Sequence, residues 1–230
     1  MSNKLKNYAI ILASGNGSRF GSSLPKQFTV IGDKTILEHS IEVFEKNELI
    51  DGIILVVTPE YREKFIEILC KNNYKKVLKI LNGGKIRKES SYIGVCGVGE
   101  EANLLIHDCA RPFVSQRVIN ECIKALESND AVNVAISSTD TILEIENGYI
   151  KCVPNRSSLM RSQTPQCFKY SVIKKAHELS LNDTDFTDDC GLVLKHNLAK
   201  IFIVEGDVEN IKITYPSDEI LAKSILASRE

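Results

Sequence analysis

The sequence predicts an α/β fold in which a mostly parallel sheet carries helices on both faces. Short, wholly apolar runs alternate along the chain with segments whose hydrophobic residues recur at helical spacing. Apolar runs without polar alternation are typical of parallel strands that are buried on both faces. A regular order of strand and helix favours a Rossmann-like arrangement, in which helices connect the successive parallel strands.

The first half of the chain gives the clearest elements. Apolar runs at 8–13, 52–58 and 103–108 predict buried strands. The last of these runs ends on an acid, Asp108. The same reasoning adds a short strand at 77–81 and helices at 35–47, 59–72 and 86–98.

The second half continues the alternation after one interruption. The pattern predicts strands at 131–136, 201–205 and 211–214, and helices at 118–129, 168–180, 188–195 and 220–228. Pro216 and the acidic residues after it mark the start of the last helix.

The interruption has the pattern of an antiparallel arm. Two short extended runs within 140–153 flank Asn147-Gly148, a dipeptide typical of tight hairpin turns. Because the arm is short, it has little hydrophobic core of its own. We therefore expect it to pack against a second copy of the chain. A simple surface hairpin is the alternative. We therefore predict a single domain over residues 1–230, with an arm at about 137–156 that forms a homodimer.

Composition narrows the class of protein. The 230 residues are 43% hydrophobic and carry a net charge of −1, which allows a large core and argues against a general nucleic-acid binder. No apolar run reaches the length of about 18 residues expected of a membrane-spanning helix. Because the apolar N-terminal run leads directly into a glycine loop, it resembles a buried strand rather than a signal segment, and we expect a cytoplasmic protein. The seven scattered cysteines, without a CxxC pair, predict reduced thiols.

A candidate phosphate site follows the first strand. The loop 14–18 contains Gly15 and Gly17, whose backbone N–H groups are open to phosphates, and Arg19 and Lys26 supply fixed cations nearby. The loop lacks the Walker pattern, so the loop alone could also be a simple tight turn. For Lys26 alone, the alternative is an ordinary surface lysine. The combination of loop and cations favours a polyphosphate site.

A second candidate lies at the end of the strand 103–108. Asp108 has the position and chemistry of a Mg²⁺ ligand, because Mg²⁺ uses one or two carboxylates together with phosphate oxygens and water. A turn acid or helix cap is the alternative. Arg111 is a candidate phosphate clamp, whereas His107 fits a structural role better than a catalytic one.

Ordered motifs along nearly the whole chain give a more specific indication. They are LASGNGSRFG and PKQF between 12 and 28, GGKIRKES from 83, HDCARPF from 107, TDT from 139, QTPQCF from 163, TDD from 187 and NIKIT from 210. Together they resemble the CTP-dependent polyol-phosphate cytidylyltransferases. This family includes enzymes that act on 2-C-methyl-D-erythritol 4-phosphate in isoprenoid biosynthesis and on ribitol 5-phosphate in teichoic acid or capsule biosynthesis.

The resemblance implies a reaction and a role for each matching residue. In this family the acceptor phosphate attacks the α-phosphorus of CTP, pyrophosphate leaves, and Mg²⁺ assists. Arg19, Lys26 and Lys212 would be catalytic, and Asp108 would hold the metal beside the substrate. The implied nucleotide-binding residues are Ala13, Ser14, Gly15, Gly17, Gly83, Arg87 and Ser90. The implied acceptor-binding residues are Asp108, Arg111 and Thr164, with Thr141 and Arg156 from the arm of a second subunit.

The identity of the acceptor is less sharply indicated. The segment 156–163 lacks an aromatic residue common in the isoprenoid enzymes, and the residues from Asp189 resemble the ribitol enzymes. The spacing from Arg19 to Lys26 and the TDD motif resemble the isoprenoid enzymes instead. We therefore favour ribitol 5-phosphate, with 2-C-methyl-D-erythritol 4-phosphate as the alternative. A sugar 1-phosphate nucleotidyltransferase and a non-catalytic nucleotide sensor fit the motifs less well.

Overall fold

The computed structural model describes residues 4–15, 24–183 and 186–229. Its strands are β1 (Asn7–Ala13), β2 (Val30–Ile31), β3 (Lys34–Thr35), β4 (Gly52–Val57), β5 (Val77–Asn82), β6 (Asn103–Asp108), β7 (Ala131–Ser137), β8 (Glu144–Glu146), β9 (Tyr149–Cys152), β10 (Met160–Lys169) and β11 (Ile201–Glu205). Its helices are α1 (Ile36–Glu45), α2 (Arg62–Asn72), α3 (Arg87–Val98), α4 (Gln116–Ala125), α5 (Tyr170–Leu179), α6 (Asp189–Lys195) and α7 (Asp218–Ala227).

A seven-stranded sheet in the order β11-β7-β10-β6-β1-β4-β5 forms the centre of the molecule. Strand β1 is parallel to β4 and β6, β4 is parallel to β5, and β7 is parallel to β11. Only β10 runs antiparallel to its neighbours in this sheet. The predicted α/β fold with a mostly parallel sheet is confirmed, and the carboxyl ends of the parallel strands meet at one edge.

Alternate residues of β1 explain why both faces of the sheet are covered. Ile11 joins a buried cluster with side chains of α1, α2, α4 and α7, while Ile10 joins a second cluster with α3, α5 and α6. Both isoleucines are fully buried. Because successive side chains of a strand point to opposite faces, a wholly apolar strand requires a helical layer on each side.

The sequence prediction missed β10 and began the following helix two residues early, at 168 instead of Tyr170. Polar residues and Pro165 make this segment unlike a central strand, since proline removes a ladder hydrogen bond. The structure accommodates the proline at an irregularity, where the pairing of β10 with β7 shifts register between Ser162 and Gln166. A central strand can therefore be polar at one end when a bulge interrupts its ladder.

The predicted strand at 211–214 is wrong. The segment has no regular secondary structure. It lies against the loop after β6, where the N–H of Ile213 donates to the carbonyl of Ala110 at 2.9 Å. Ile213 is fully buried, so the alternation that suggested a strand reflects the burial of a side chain rather than a sheet ladder.

The predicted hairpin is present as β8 and β9, which pair antiparallel outside the main sheet. Asn147 and Gly148 both have positive φ, 52° and 84°, as a two-residue hairpin turn requires. All residues from 144 to 152 are exposed.

Among the described residues, every helix is too short or too polar to cross a lipid bilayer.

Helix α3 packs unusually close to the sheet at Gly94. A Cβ at this position would lie 2.4 Å from Cγ2 of Ile10 and 3.1 Å from Cγ2 of Val56, both in buried strands. We expect Gly94→Ala to lower the free energy of unfolding by about 1–3 kcal/mol, because overpacking outweighs the helix propensity that alanine gains.

Urea denaturation measures this change. Cys96→Ala, on the exposed face of the same helix, is the control and should alter stability by less than about 0.5 kcal/mol. Equal stability of Gly94→Ala and the wild type would contradict the close packing of α3.

Candidate active site

A cleft of about 790 Å³ opens at the carboxyl edge of the parallel strands. The ends of β1, β5 and β6, the start of α3 and the segment around Lys212 form its walls. Nine of the site residues expected from the sequence line it: Ala13, Ser14, Gly15, Lys26, Gly83, Arg87, Ser90, Asp108 and Lys212. Ligands of open α/β sheets bind at this edge, so the fold itself accounts for the convergence.

The loop after β1 is held by a residue that sequence reasoning did not single out. The side-chain amide of Gln27, which is buried, donates to the carbonyls of Ala13 at 2.9 Å and Gly15 at 3.3 Å. Its position directly after Lys26 was the available signal. The predicted nucleotide contact of Gly17 and the catalytic role of Arg19 lie outside the described residues.

A second set of hydrogen bonds joins this loop to the start of α3. Ser14 Oγ donates to Ser90 Oγ at 2.8 Å, and Ser90 Oγ accepts from the N–H of Gly84 at 3.1 Å. Gly83 passes so close that a Cβ there would lie 2.4 Å from Cβ of Ser14 and 3.0 Å from Ser90 Oγ. Position 83 therefore requires glycine, because a larger side chain would collide with Ser14.

Asp108 lies at the centre of a charged cluster. Its Oδ1 is 3.2 Å from Nε of Arg87, and its Oδ2 is 2.6 Å from Nζ of Lys212. Burial is the largest influence on this carboxyl and opposes its ionisation. The cations Arg87, Lys212 and Arg111 together outweigh burial and hold the pKa of Asp108 well below its usual range. The group is therefore an anion at neutral pH.

Arg87 bridges Asp108 to a second carboxylate, Asp189, whose Oδ2 lies 2.7 Å from Nη1 of the arginine. Burial acts to lower the pKa of Arg87, but the two carboxylates more than offset it and raise that pKa. The remaining nitrogen, Nη2, is buried and has no acceptor among the described residues.

The two lysines predicted to be catalytic enter the cleft from segments 186 positions apart, as the numbers of Lys26 and Lys212 show. Nζ of Lys26 donates to the carbonyl of Ile213 at 2.7 Å. Ile213 directly follows Lys212 in the chain, so the two lysines lie close to the same segment. Fixed cations around a cleft favour an anionic ligand such as a polyphosphate.

The residues present suit Mg²⁺ bound mainly through a ligand. The described part of the chain contains no group of three or more His, Cys, Asp or Glu side chains placed to hold a metal ion. Asp108 offers one ionised carboxylate, and Mg²⁺ in phosphate-transfer sites needs only one or two, with phosphate and water oxygens completing its octahedron. Asp108 is therefore suited to hold the Mg²⁺ ion that the sequence resemblance implies.

His107 has the contacts of a structural residue, as the sequence favours. Its Nε2 lies 2.9 Å from the carbonyl of Arg111, which can only accept, so that nitrogen carries the proton. Its Nδ1 then accepts from the hydroxyl of Thr164 at 3.0 Å, and that hydroxyl accepts from the N–H of Asp108 at 3.1 Å. Burial lowers the pKa of His107 to about 4, so the ring is neutral and holds the loop in place.

Four of the five predicted acceptor-binding residues, all except Asp108, do not line the cleft. Arg111 donates to the carbonyls of Asn210 at 2.7 Å and Ser162 at 3.3 Å, while its buried Nε has no described partner. Thr164 is buried beneath Asp108. Thr141 and Arg156 are exposed at the base of the arm. Their predicted roles stay predictions.

Known proteins with the same fold and sequence pattern have related names. Residues 8–228 match the family model described as IspD, 2-C-methyl-D-erythritol 4-phosphate cytidylyltransferase. The 2-C-methyl-D-erythritol 4-phosphate cytidylyltransferase of Clostridium botulinum (strain ATCC 19397 / Type A) is 41% identical over 224 residues, which cover 96% of this chain and 97% of that protein.

Two further proteins are similar to this chain. The bifunctional ribulose 5-phosphate reductase/CDP-ribitol pyrophosphorylase of Haemophilus influenzae is 38% identical over 234 residues, 99% of this chain, and this chain spans 49% of that relative's length. The crystal structure of 4-diphosphocytidyl-2C-methyl-D-erythritolsynthase from Anaerococcus prevotii superposes with a TM-score of 0.86 at 30% identity, and covers 97% of this chain and 96% of that one.

The contact between Gly83 and Ser14 gives a test of the nucleotide loop. We expect Gly83→Ala to weaken CTP binding about 10-fold or more, because the new methyl group would displace Ser14. Adding Ser14→Gly removes the nearest obstacles and should restore the affinity to within about 3-fold of the Ser14→Gly single variant. Isothermal titration calorimetry measures both values. Failure of the second substitution to restore binding would contradict the assigned contact.

Proposed function

This chain belongs to the 2-C-methyl-D-erythritol 4-phosphate cytidylyltransferase family, and from that premise we propose that it transfers the cytidylyl group of CTP to a polyol phosphate. Members of this family are nucleotidyltransferases. The observation that carries the proposal is the cleft in which Asp108 meets Arg87 and Lys212 beside the nucleotide loop.

The proposed chemistry is a single in-line displacement. An oxygen of the acceptor phosphate forms a bond to the α-phosphorus of CTP, and the bond from that phosphorus to the β-phosphate oxygen breaks, so pyrophosphate leaves. No covalent intermediate with the protein is needed. Catalysis is then positioning and neutralisation of two anions that repel each other. Lys26 and Lys212, which enter the cleft from opposite ends of the chain, supply fixed positive charge for both.

Mg²⁺ is the proposed cofactor, with Asp108 as its protein ligand. When bound, the ion would neutralise phosphate oxygens of CTP and withdraw charge from the leaving pyrophosphate. The protein's part is to keep Asp108 ionised and fixed. Arg87 and Lys212 do this by lowering its pKa and bonding one oxygen each.

Two acceptors are proposed. The family description and the Clostridium and Anaerococcus proteins name methylerythritol phosphate chemistry, while the Haemophilus relative is named for CDP-ribitol. The preference for ribitol 5-phosphate drawn from the sequence gains no support over 2-C-methyl-D-erythritol 4-phosphate from these names. We therefore propose methylerythritol phosphate as the first acceptor to test and ribitol 5-phosphate as the second.

The acceptor site is proposed to be shared between two subunits. Ile145, Tyr149 and Ile150 on the arm are 63%, 80% and 62% exposed, and apolar side chains grouped in this way favour burial against another protein surface. A homodimer that buries them would bring Thr141 and Arg156 of the partner subunit towards Arg111 and Asp108. This arrangement explains why a single subunit leaves those two residues in solvent.

Pyrophosphate release from CTP and Mg²⁺ with each polyol phosphate in turn tests the function. We expect release with one of the two acceptors and a fall in kcat of at least about 100-fold for Lys26→Ala, since a fixed cation at the reacting phosphate is lost. Lys223→Ala, on the exposed face of α7, is the matched control and should retain activity. No release with either acceptor, or near-normal turnover of Lys26→Ala, would contradict the proposal.

Mixing two inactive variants tests the shared site. A dimer of Lys26→Ala with Arg156→Ala has one site with both changes and one site with neither. Random exchange of subunits should restore about a quarter of the wild-type activity. Ile145→Asp combined with Ile150→Asp, a cross-strand pair of the arm, should abolish this complementation and give a monomer in sedimentation. Complementation absent from a proven mixed dimer would show that Arg156 serves its own subunit.

A further inference from the structure

We propose that Asp189 is a positioning residue, which holds Arg87 against Asp108 and thereby sets the affinity of the site for its divalent cation. The inference rests on the proposed function, since it takes Asp108 as the cation ligand. Asp189 belongs to the TDD motif, and the mechanism above gives it no role.

The first observation is that one guanidinium lies between two carboxylates. Arg87 uses Nε for Asp108 Oδ1 at 3.2 Å and Nη1 for Asp189 Oδ2 at 2.7 Å. Two bonds from different nitrogens fix the plane of the guanidinium, which a single bond cannot do. The orientation of Asp108 therefore depends on a carboxylate that does not touch it.

The second observation is that Asp189 is itself fixed from several directions. It is fully buried, and its Oδ1 accepts from Ser91 Oγ at 2.5 Å and lies 3.3 Å from Nε2 of His177. Its own N–H donates to Oε1 of Gln166 at 3.0 Å. Contacts from α3, α5 and β10 thus converge on the first residue of α6, far more than a surface helix start needs.

The third observation is the balance of charge. Three cations, Arg87, Lys212 and Arg111, act on the single carboxylate of Asp108. Asp189 takes a share of the Arg87 charge, and it bonds the arginine at a shorter distance than Asp108 does. Without Asp189, the full charge of Arg87 would act on Asp108 and oppose a divalent cation there. We therefore expect its removal to weaken cation binding.

The neighbouring carboxylate supplies a matched control. Asp188 accepts from the N–H of Gly191 at 3.0 Å and from Nε2 of Gln166 at 2.8 Å, so it caps α6. It has no ion pair with Arg87. A purely structural role at the start of α6 should therefore be disturbed by Asp188→Asn as well, whereas a role through Arg87 belongs to Asp189.

Cation binding itself is the readout. Mn²⁺ is titrated into the full-length protein with CTP and without acceptor, and the EPR signal of free Mn²⁺ gives the concentration at half-saturation. We expect Asp189→Asn to raise it about 10-fold, the lower end of the effect of outer partners on metal ligands, and Asp188→Asn to change it by less than about 2-fold. In an Arg87→Gln background, Asp189→Asn should change it by less than about 2-fold.

The outcomes separate the inference from the proposed function. Equal shifts for Asp188→Asn and Asp189→Asn, or the same Asp189→Asn shift without Arg87, would overturn the positioning role while leaving the function intact. Unchanged Mn²⁺ binding in Asp108→Asn would overturn the proposed metal ligand and the inference together. If thermal melting shows that Asp189→Asn does not fold, Ser91→Ala replaces it. That variant loosens Asp189 without removing its charge and should shift the midpoint about 3-fold in the same direction, only when Arg87 is present.

Discussion

The burial of one carboxylate, Asp108, is the constraint on which the site depends. A buried charge costs several kcal/mol unless opposite charge and hydrogen bonds compensate it. Arg87 from the start of α3 and Lys212 from near the C-terminus provide that compensation, one at each oxygen. Arg87 and Lys212, which are 125 positions apart, must therefore meet at the end of β6, and the fold that brings them together also forms the cleft.

Cations surround Asp108, although the protein as a whole is nearly neutral. The whole chain carries a net charge of −1, yet Lys26, Arg87 and Lys212 line the cleft, and Arg111 also acts on the charge of Asp108. Asp189 limits this excess from one side, and the main-chain carbonyl of Ile213 accepts from Lys26 on the other. In the proposed function, the binding of anionic substrates and the holding of a metal ion by Asp108 place opposite demands on the charge of these few side chains.

Sequence alone predicted those parts of the fold and site that have local signals. Continuous apolar runs identified the buried parallel strands, and the motifs identified Asp108, Lys212 and the serine–glycine loop. Strand β10 was missed because Pro165 and its polar neighbours have no strand pattern, and 211–214 was mistaken because one buried isoleucine imitates alternation. Gln27 and Asp189 belong to motifs that the sequence shows, but the motifs did not give their roles, since these depend on partners, such as Arg87, that only the tertiary structure supplies.

The position of β10 has a consequence for how the chain is assembled. Strands β6 and β7 do not pair with each other, and β10 lies between them although it is made later than both. A nascent chain that has not yet emerged from the ribosome as far as Lys169 therefore lacks the neighbour of β6. Strand β6 is then an open edge in addition to β5, which is an edge of the finished sheet as well, and β7 has no neighbour on either side. Until that residue is available, exposed strand edges persist, and this interval is when the chain is most open to aggregation or to chaperones.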